Sequence, residues 1–142
     1  MQYSNRQFST TESEIINDIS IAINGEYQAI YCYEQLKRQT KNSEIMNQIN
    51  EIQNDELRHY QMFSNLYTLL TGQHYSPQII GKCPPNFQNG VLAAFKDEQK
   101  TVDFYNEVAR KTDNSSIKET FLQASVDEQN HAVWFLYFLN HR

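Results

Sequence analysis

At 142 residues with a net charge of −5, the chain is long enough to build one hydrophobic core without staples, and its acidic balance excludes the basic stripe that nucleic-acid binding requires. Four Gly and three Pro leave room for long uninterrupted elements, and no run of 18 apolar residues is present to span a membrane. Cys32 and Cys83 lie far apart and outside any C-x-x-C spacing, which argues for neither a disulfide framework nor a thiolate metal site; a cytoplasmic protein is expected.

Residues 1–10 are rich in Ser, Asn and Gln and read as a flexible N-terminal tail, followed by a single domain over 11–142. Helix 1 is predicted from Thr11, which has capping-box spacing to Glu14, to about Gln39. Its apolar stripe is Ile15, Ile19, Ala22, Glu26, Ala29, Tyr33 and Leu36, alternating steps of four and three that keep one face toward a bundle neighbour. After a short polar turn, with Asn42 or Ser43 as N-cap, helix 2 carries Ile45, Ile49, Ile52, Glu56, His59, Phe63, Leu66 and Leu70 and stops at Gly72. Residues 73–86, with Pro77, Gly81, Pro84 and Pro85, read as an irregular connection long enough to cross a bundle, and His74 within it as a solvated loop residue.

Helix 3 is predicted from Phe87 to Lys111, with stripe Phe87, Val91, Ala94, Glu98, Thr101, Tyr105 and Val108. A turn at Asp113–Ser116 follows, in which Ser116 and Glu119 have capping-box spacing. Helix 4 then shows Ile117, Phe121, Ala124, Glu128, His131, Phe135 and Phe138. Cys32, one position off the stripe, is expected to be a small core filler, and Trp134 a packing or subunit-contact residue.

Sliding the chain on itself by 72 residues superposes Glu26 on Glu98, Glu56 on Glu128, His59 on His131, Tyr33 on Tyr105 and Asp55 on Asp127. Two helix hairpins of common design result. Glu26 and Glu56 are equally far from the first turn, as Glu98 and Glu128 are from the second, so each hairpin pairs its two Glu about 22 Å along the helix at 1.5 Å per residue. In each D-E-x-x-H segment the Glu and His lie three positions apart, on one helix face.

Four carboxylates and two imidazoles are thereby placed at core positions of one layer. Unpaired, each buried charge would cost several kcal/mol, and the stripes offer no Lys or Arg to neutralise them. Two divalent cations match four carboxylates in charge, and this oxygen and nitrogen donor set suits iron, with manganese as the alternative. The expected arrangement has Glu56 and Glu128 bridging, with Glu26 and His59 on one ion and Glu98 and His131 on the other. Tyr33 and Tyr105 are candidates to hydrogen-bond a ligand carboxylate, and Asp55 and Asp127 to orient the imidazoles from an adjoining helix.

One Glu on each of helices 1 and 3 and E-x-x-H on each of helices 2 and 4 resembles the ferritin-like di-iron carboxylate superfamily. Within it the chain is most similar to a rubrerythrin-type domain without the rubredoxin domain. The resemblance implies an all-α, ferritin-like four-helix bundle of two antiparallel hairpins joined by one long crossover. It also implies a di-iron oxidoreductase that reduces hydrogen peroxide or O2 in oxidative-stress defence, fed by an external, rubredoxin-like electron donor. Thr101 stands where rubrerythrins carry a further ligand Glu. A ferroxidase serving iron storage or delivery is the alternative, and a metal-stabilised interaction module a third. A homodimer or higher homo-oligomer is expected, with no nucleic-acid or membrane partner.

Overall fold

The computed structural model describes residues 10–141, in which four helices fold into a bundle: α1 (Thr10–Arg38), α2 (Ser43–Thr71), α3 (Phe87–Lys111) and α4 (Ser115–Asn140). The tail expected at residues 1–10 lies outside the described residues except for Thr10, which opens α1 one position ahead of the predicted Thr11. Among the described residues no helix is long and apolar enough to cross a membrane.

The two hairpin turns are built alike, as the repeat requires. Asn42 caps α2, its side-chain oxygen accepting from the Ile45 amide at 3.1 Å, and Asn114 caps α4, accepting from the Ile117 amide at 3.0 Å. The hydroxyls of Thr40 and Thr112 accept from the amides of those same Asn residues, both at 3.2 Å. The expected Ser116–Glu119 capping box is therefore corrected: Asn114, the counterpart of Asn42, caps α4 two residues earlier, because its side-chain oxygen already takes the otherwise orphaned Ile117 amide. At the other end of α2, Gly72 adopts φ 74° and returns its amide to Thr68 O at 2.8 Å, the left-handed stop that glycine makes at little steric cost.

The stripes face inward almost residue for residue. Two apolar clusters result, one at each end of the bundle. The first joins Ile15, Ile19 and Ile23 to Phe63, Tyr105, Val108 and Phe121; the second joins Tyr33 and Leu36 to Ile45, Ile49, Ile52, Val91, Phe135 and Phe138. Phe63, Tyr105 and Phe121 stack about one another with centroids 4.7–5.3 Å apart, and each buried ring contributes roughly 1.5–3 kcal/mol. In the second cluster α3 passes close to α1 at Gly90, where an added Cβ would meet Leu36 Cδ1 at 2.7 Å. Trp134 packs on this cluster, edge to face with Tyr137.

Between the two clusters lies one polar layer. The crossover from residue 73 to 86 runs along α1 and is held to it by hydrogen bonds: Asn24 Nδ2 donates to the Tyr75 hydroxyl at 2.7 Å, the Gln78 amide to Asn24 Oδ1 at 3.2 Å, and the Ile80 amide to Gln28 Oε1 at 2.9 Å. Cys83 on this segment is joined to Cys32 on α1 by a disulfide with Cα atoms 5.3 Å apart. The reading of Cys32 as a core filler, in a sequence whose cysteine spacing argued for no disulfide, is thus corrected. The wide spacing of the two cysteines in sequence is closed by the crossover folding back on α1, a tertiary contact that local spacing does not encode. His74 is exposed in this segment, its Nδ1 3.4 Å from Thr68 Oγ1.

Candidate metal centre

Glu26 on α1, Glu56 and His59 on α2, Glu98 on α3, and Glu128 and His131 on α4 all reach the middle layer, and each is at most 2 % exposed. They form two overlapping groups whose ligand atoms lie within 4.8 Å of one another: Glu26, Glu56, His59 and Glu128 in one, Glu56, Glu98, Glu128 and His131 in the other. Glu56 and Glu128 are common to both. Glu56 Oε1 sits 3.4 Å from His59 Nδ1 and 3.3 Å from His131 Nδ1, whereas Glu26 Oε2 approaches only His59, and Glu98 Oε2 only His131, each at 3.6 Å.

Each imidazole turns its other nitrogen outward to a carboxylate on the opposite hairpin. His59 Nε2 lies 2.8 Å from Asp127 Oδ2, and His131 Nε2 lies 2.8 Å from Asp55 Oδ2. A proton on Nε2 serves these contacts and leaves the Nδ1 lone pair for the centre of the layer. The two phenols are exchanged between hairpins in the same way: the Tyr33 hydroxyl donates to Glu98 Oε1 at 2.6 Å, and that of Tyr105 to Glu26 Oε1 at 2.5 Å. Burial, then the charges of Glu98 and Glu26 beside them, pushes both phenols well above their ordinary pKa, so they remain donors.

Sequence reading missed Arg58. Its guanidinium bridges the two outer carboxylates, with Nη1 3.1 Å from Asp55 and Nη2 2.8 Å from Asp127. The i, i+3 spacing to Asp55 was visible, but the contact with Asp127 crosses between helices, and the repeat places Asn130 at the equivalent position. Asp127→Asn, which keeps the shape and removes the charge, is expected to weaken divalent-metal affinity about 10–100-fold, measured by competition with a chromophoric chelator.

Whether these residues fit a metal pair is decided by what they lack. Glu26 Oε2, Glu56 Oε1, Glu98 Oε2, Glu128 Oε1, His59 Nδ1 and His131 Nδ1 are buried side-chain atoms with no hydrogen-bond partner. Among the described residues the one other such atom, Asp18 Oδ2, has the Lys111 ammonium at 2.8 Å, whereas the six face only one another, the closest approach being His59 Nδ1 to Glu128 Oε1 at 2.9 Å. One orphaned atom from each of six residues, converging on one centre, is a donor set for cations.

Titration behaviour follows from the same crowding. Burial, and then the Glu56 charge, pushes Glu26 up to about 8; burial likewise raises Glu98 and Glu128. Burial also works against ionised Glu56, but the two imidazoles beside it hold its carboxyl below the usual range. For His59 and His131 burial pulls downward, yet Glu26 and Glu56, and Glu56 and Glu98, outweigh it and raise them to about 10 and 11. Without metal, then, the folded layer binds more protons than the unfolded chain between pH 4.5, where an unfolded Glu ionises, and about pH 10. Stability of the metal-free protein therefore falls as pH rises through this window. A cation displaces those protons, so the rise in Tm on adding Mn(II) to chelator-treated protein is expected to grow from pH 6 to pH 8.5.

A cavity of about 510 Å³ opens between α1 and α3 beneath the crossover, and all four ligand Glu line it while neither His does. Its walls near the carboxylates are small or apolar: Ala22, Gly25, Ala29, Ala94 and Thr101. The Thr101 hydroxyl is turned to its own helix, donating to Asp97 O at 2.8 Å. The layer thus has a closed, imidazole-lined side and an accessible, carboxylate-lined side.

Comparison with known proteins agrees with this picture. The family model described as Rubrerythrin matches residues 3–75 and 90–142. A Bacillus subtilis (strain 168) protein, YhjR, whose own function is uncharacterised, is 50% identical over 128 residues, covering 90% of this chain and 88% of that protein. Among solved structures, ferritin-like diiron-carboxylate proteins from Bacillus anthracis superpose with TM-score 0.81 at 19% identity, over 94% of this chain and all of theirs. Nigerythrin in its fully reduced, all-ferrous state gives 0.77 at 17% identity, over 99% of this chain and 71% of nigerythrin. A hypothetical protein from Pyrococcus furiosus gives 0.75 at 16% identity, over 89% of this chain and 88% of that one.

Proposed function

The chain belongs to the rubrerythrin family, and from that premise we propose that it is a di-iron oxidoreductase reducing hydrogen peroxide, with O2 as the slower oxidant and electrons from an external donor. The observation that carries this reading is the set of six orphaned donor atoms beside a cavity wide enough for a small oxidant. Iron is favoured over manganese by the family and by the all-ferrous state of nigerythrin.

Glu26, Glu56 and His59 would hold one ion and Glu98, Glu128 and His131 the other, with Glu56 and Glu128 shared. When bound, such a pair exchanges two electrons, the number peroxide requires. The chain's own residues do the rest. Asp55 and Asp127 fix the imidazoles, while the carboxylates that would hold the ions face the cavity. Tyr33 and Tyr105 hold Glu98 and Glu26 in place and keep a proton within reach of them. The apolar clusters above and below close the layer at both ends, so that the cavity is its way in.

Anaerobically reduced, iron-loaded protein is the test, mixed with H2O2 and separately with O2 in a stopped-flow spectrometer. Oxidation by peroxide at least tenfold faster than by O2, with turnover when a reductant is supplied, is expected. Oxidation by O2 alone, joined to a closed multi-subunit particle in solution, would assign the protein to ferroxidase and storage chemistry instead. Inertness to both oxidants would leave a metal-stabilised bundle without turnover.

A further inference from the structure

The disulfide has no part in the layer, yet both cysteines line the cavity that the four ligand carboxylates line. Cys32 precedes Tyr33, whose hydroxyl donates to Glu98 at 2.6 Å, so one peptide unit and one phenol separate the sulfur from a ligand carboxylate. Along α1, Cys32 stands six residues beyond Glu26, about 9 Å at 1.5 Å per residue. Both cysteines are only partly buried, within reach of a reductant from solution.

A structural staple is the competing explanation for a bond that closes 51 residues. The crossover, however, is already tied to α1 by the amides of Gln78 and Ile80 and by Tyr75, and to the residue just past the end of α1 by Gln39 Nε2 donating to Pro85 O at 3.3 Å. None of these four hydrogen bonds is made through a cysteine atom, and Gln28, which holds the Ile80 amide, also donates from Nε2 to Cys32 Sγ at 3.4 Å. The described residues contain no second cysteine pair, so this is the chain's own two-electron couple outside the metal layer.

We propose that Cys32 and Cys83 form a redox-active pair that relays electrons from a dithiol reductant to the metal centre. The proposal rests on the peroxide-reducing reading above. In the reducing half, a dithiol opens the bond by exchange, becoming a disulfide itself and leaving Cys32 and Cys83 as thiols. In the oxidising half, the two thiols lose two electrons and two protons and the S–S bond forms again. The electrons pass to the layer and from there to hydrogen peroxide, whose O–O bond breaks, and the two protons complete two water molecules. The dithiol is oxidised, the peroxide is reduced, and the protein is returned unchanged.

The test uses full-length protein, iron-loaded and anaerobic, reduced with dithiothreitol that is then removed. Hydrogen peroxide is added in steps, thiols being counted by the mass shift on N-ethylmaleimide alkylation and iron oxidation followed by absorbance. The wild type is expected to consume two equivalents of peroxide per chain and to lose both thiols at the first. The Cys32→Ser/Cys83→Ser variant should consume one, and metal-free wild type should lose its thiols at least tenfold more slowly. Dithiothreitol should reduce the bond with the helical circular-dichroism signal unchanged. Iron oxidised while the thiols persist, equal thiol loss without metal, or reduction that requires unfolding would each overturn the relay and leave the peroxide reading standing. Iron inert to peroxide would overturn that reading and the relay with it. Thiol counting on the wild type needs no variant, so a misfolded double mutant does not blunt the test.

Discussion

Glu56→Ala is expected to abolish paired metal binding: bound iron or manganese should fall from two ions per chain to fewer than one, measured by metal analysis after desalting. Glu56 Oε1 is within 3.4 Å of both imidazoles and belongs to both ligand groups, so its removal opens both shells at once. A ligand present at a thousand times its Kd stabilises the folded state by about 4 kcal/mol. At about 2–4 °C per kcal/mol for a chain of this size, the variant should lose roughly 8–16 °C of metal-dependent Tm. Glu51→Ala, an exposed carboxylate five residues earlier on α2, should change neither quantity. Equal metal content in the two variants would show that Glu56 is not shared between ions.

Phe121→Ala separates the fold from the site. Phe121 is fully buried in the apolar end cluster, 4.7 Å from the Phe63 ring and 5.3 Å from that of Tyr105, and it is not one of the six converging residues. Truncating a buried Phe costs about 3–5 kcal/mol, part of it for the cavity left behind. Metal-free Tm should drop by roughly 10 °C, while two ions still bind at low temperature. A drop within 2 °C would mean that the end cluster is not a packed core.

Most of this architecture was legible because the chemistry is repeated. The shift of 72 residues placed six candidate ligands on core stripes, and the structure brings those six to one layer. Helix ends were readable where an Asn or Gly carries a definite local geometry, as at Asn42 and Gly72. The start of α4 was misplaced because Ser116–Glu119 imitates a capping box, and Asn114, two residues earlier, takes the Ile117 amide instead. Asp55 and Asp127 could be named as partners for histidine because the repeat carries both, whereas Arg58 has no counterpart in the second hairpin, where Asn130 stands. The disulfide was missed because the crossover has no repeat or periodicity to place it. Cys83 belongs to a connection without periodicity, which is brought back to α1 by the hydrogen bonds of Tyr75, Gln78 and Ile80 to Asn24 and Gln28. Local patterns report which face a residue occupies; they do not report where an irregular segment lands.

The central claim is that the buried carboxylates and imidazoles exist to hold two cations. Diffraction from crystals of iron-loaded protein, with anomalous maps recorded at the iron edge, tests it most directly. Two peaks per chain are predicted, one among Glu26, Glu56, His59 and Glu128 and the other among Glu56, Glu98, Glu128 and His131. A map with no peak in that layer, from protein shown to contain iron, would contradict it.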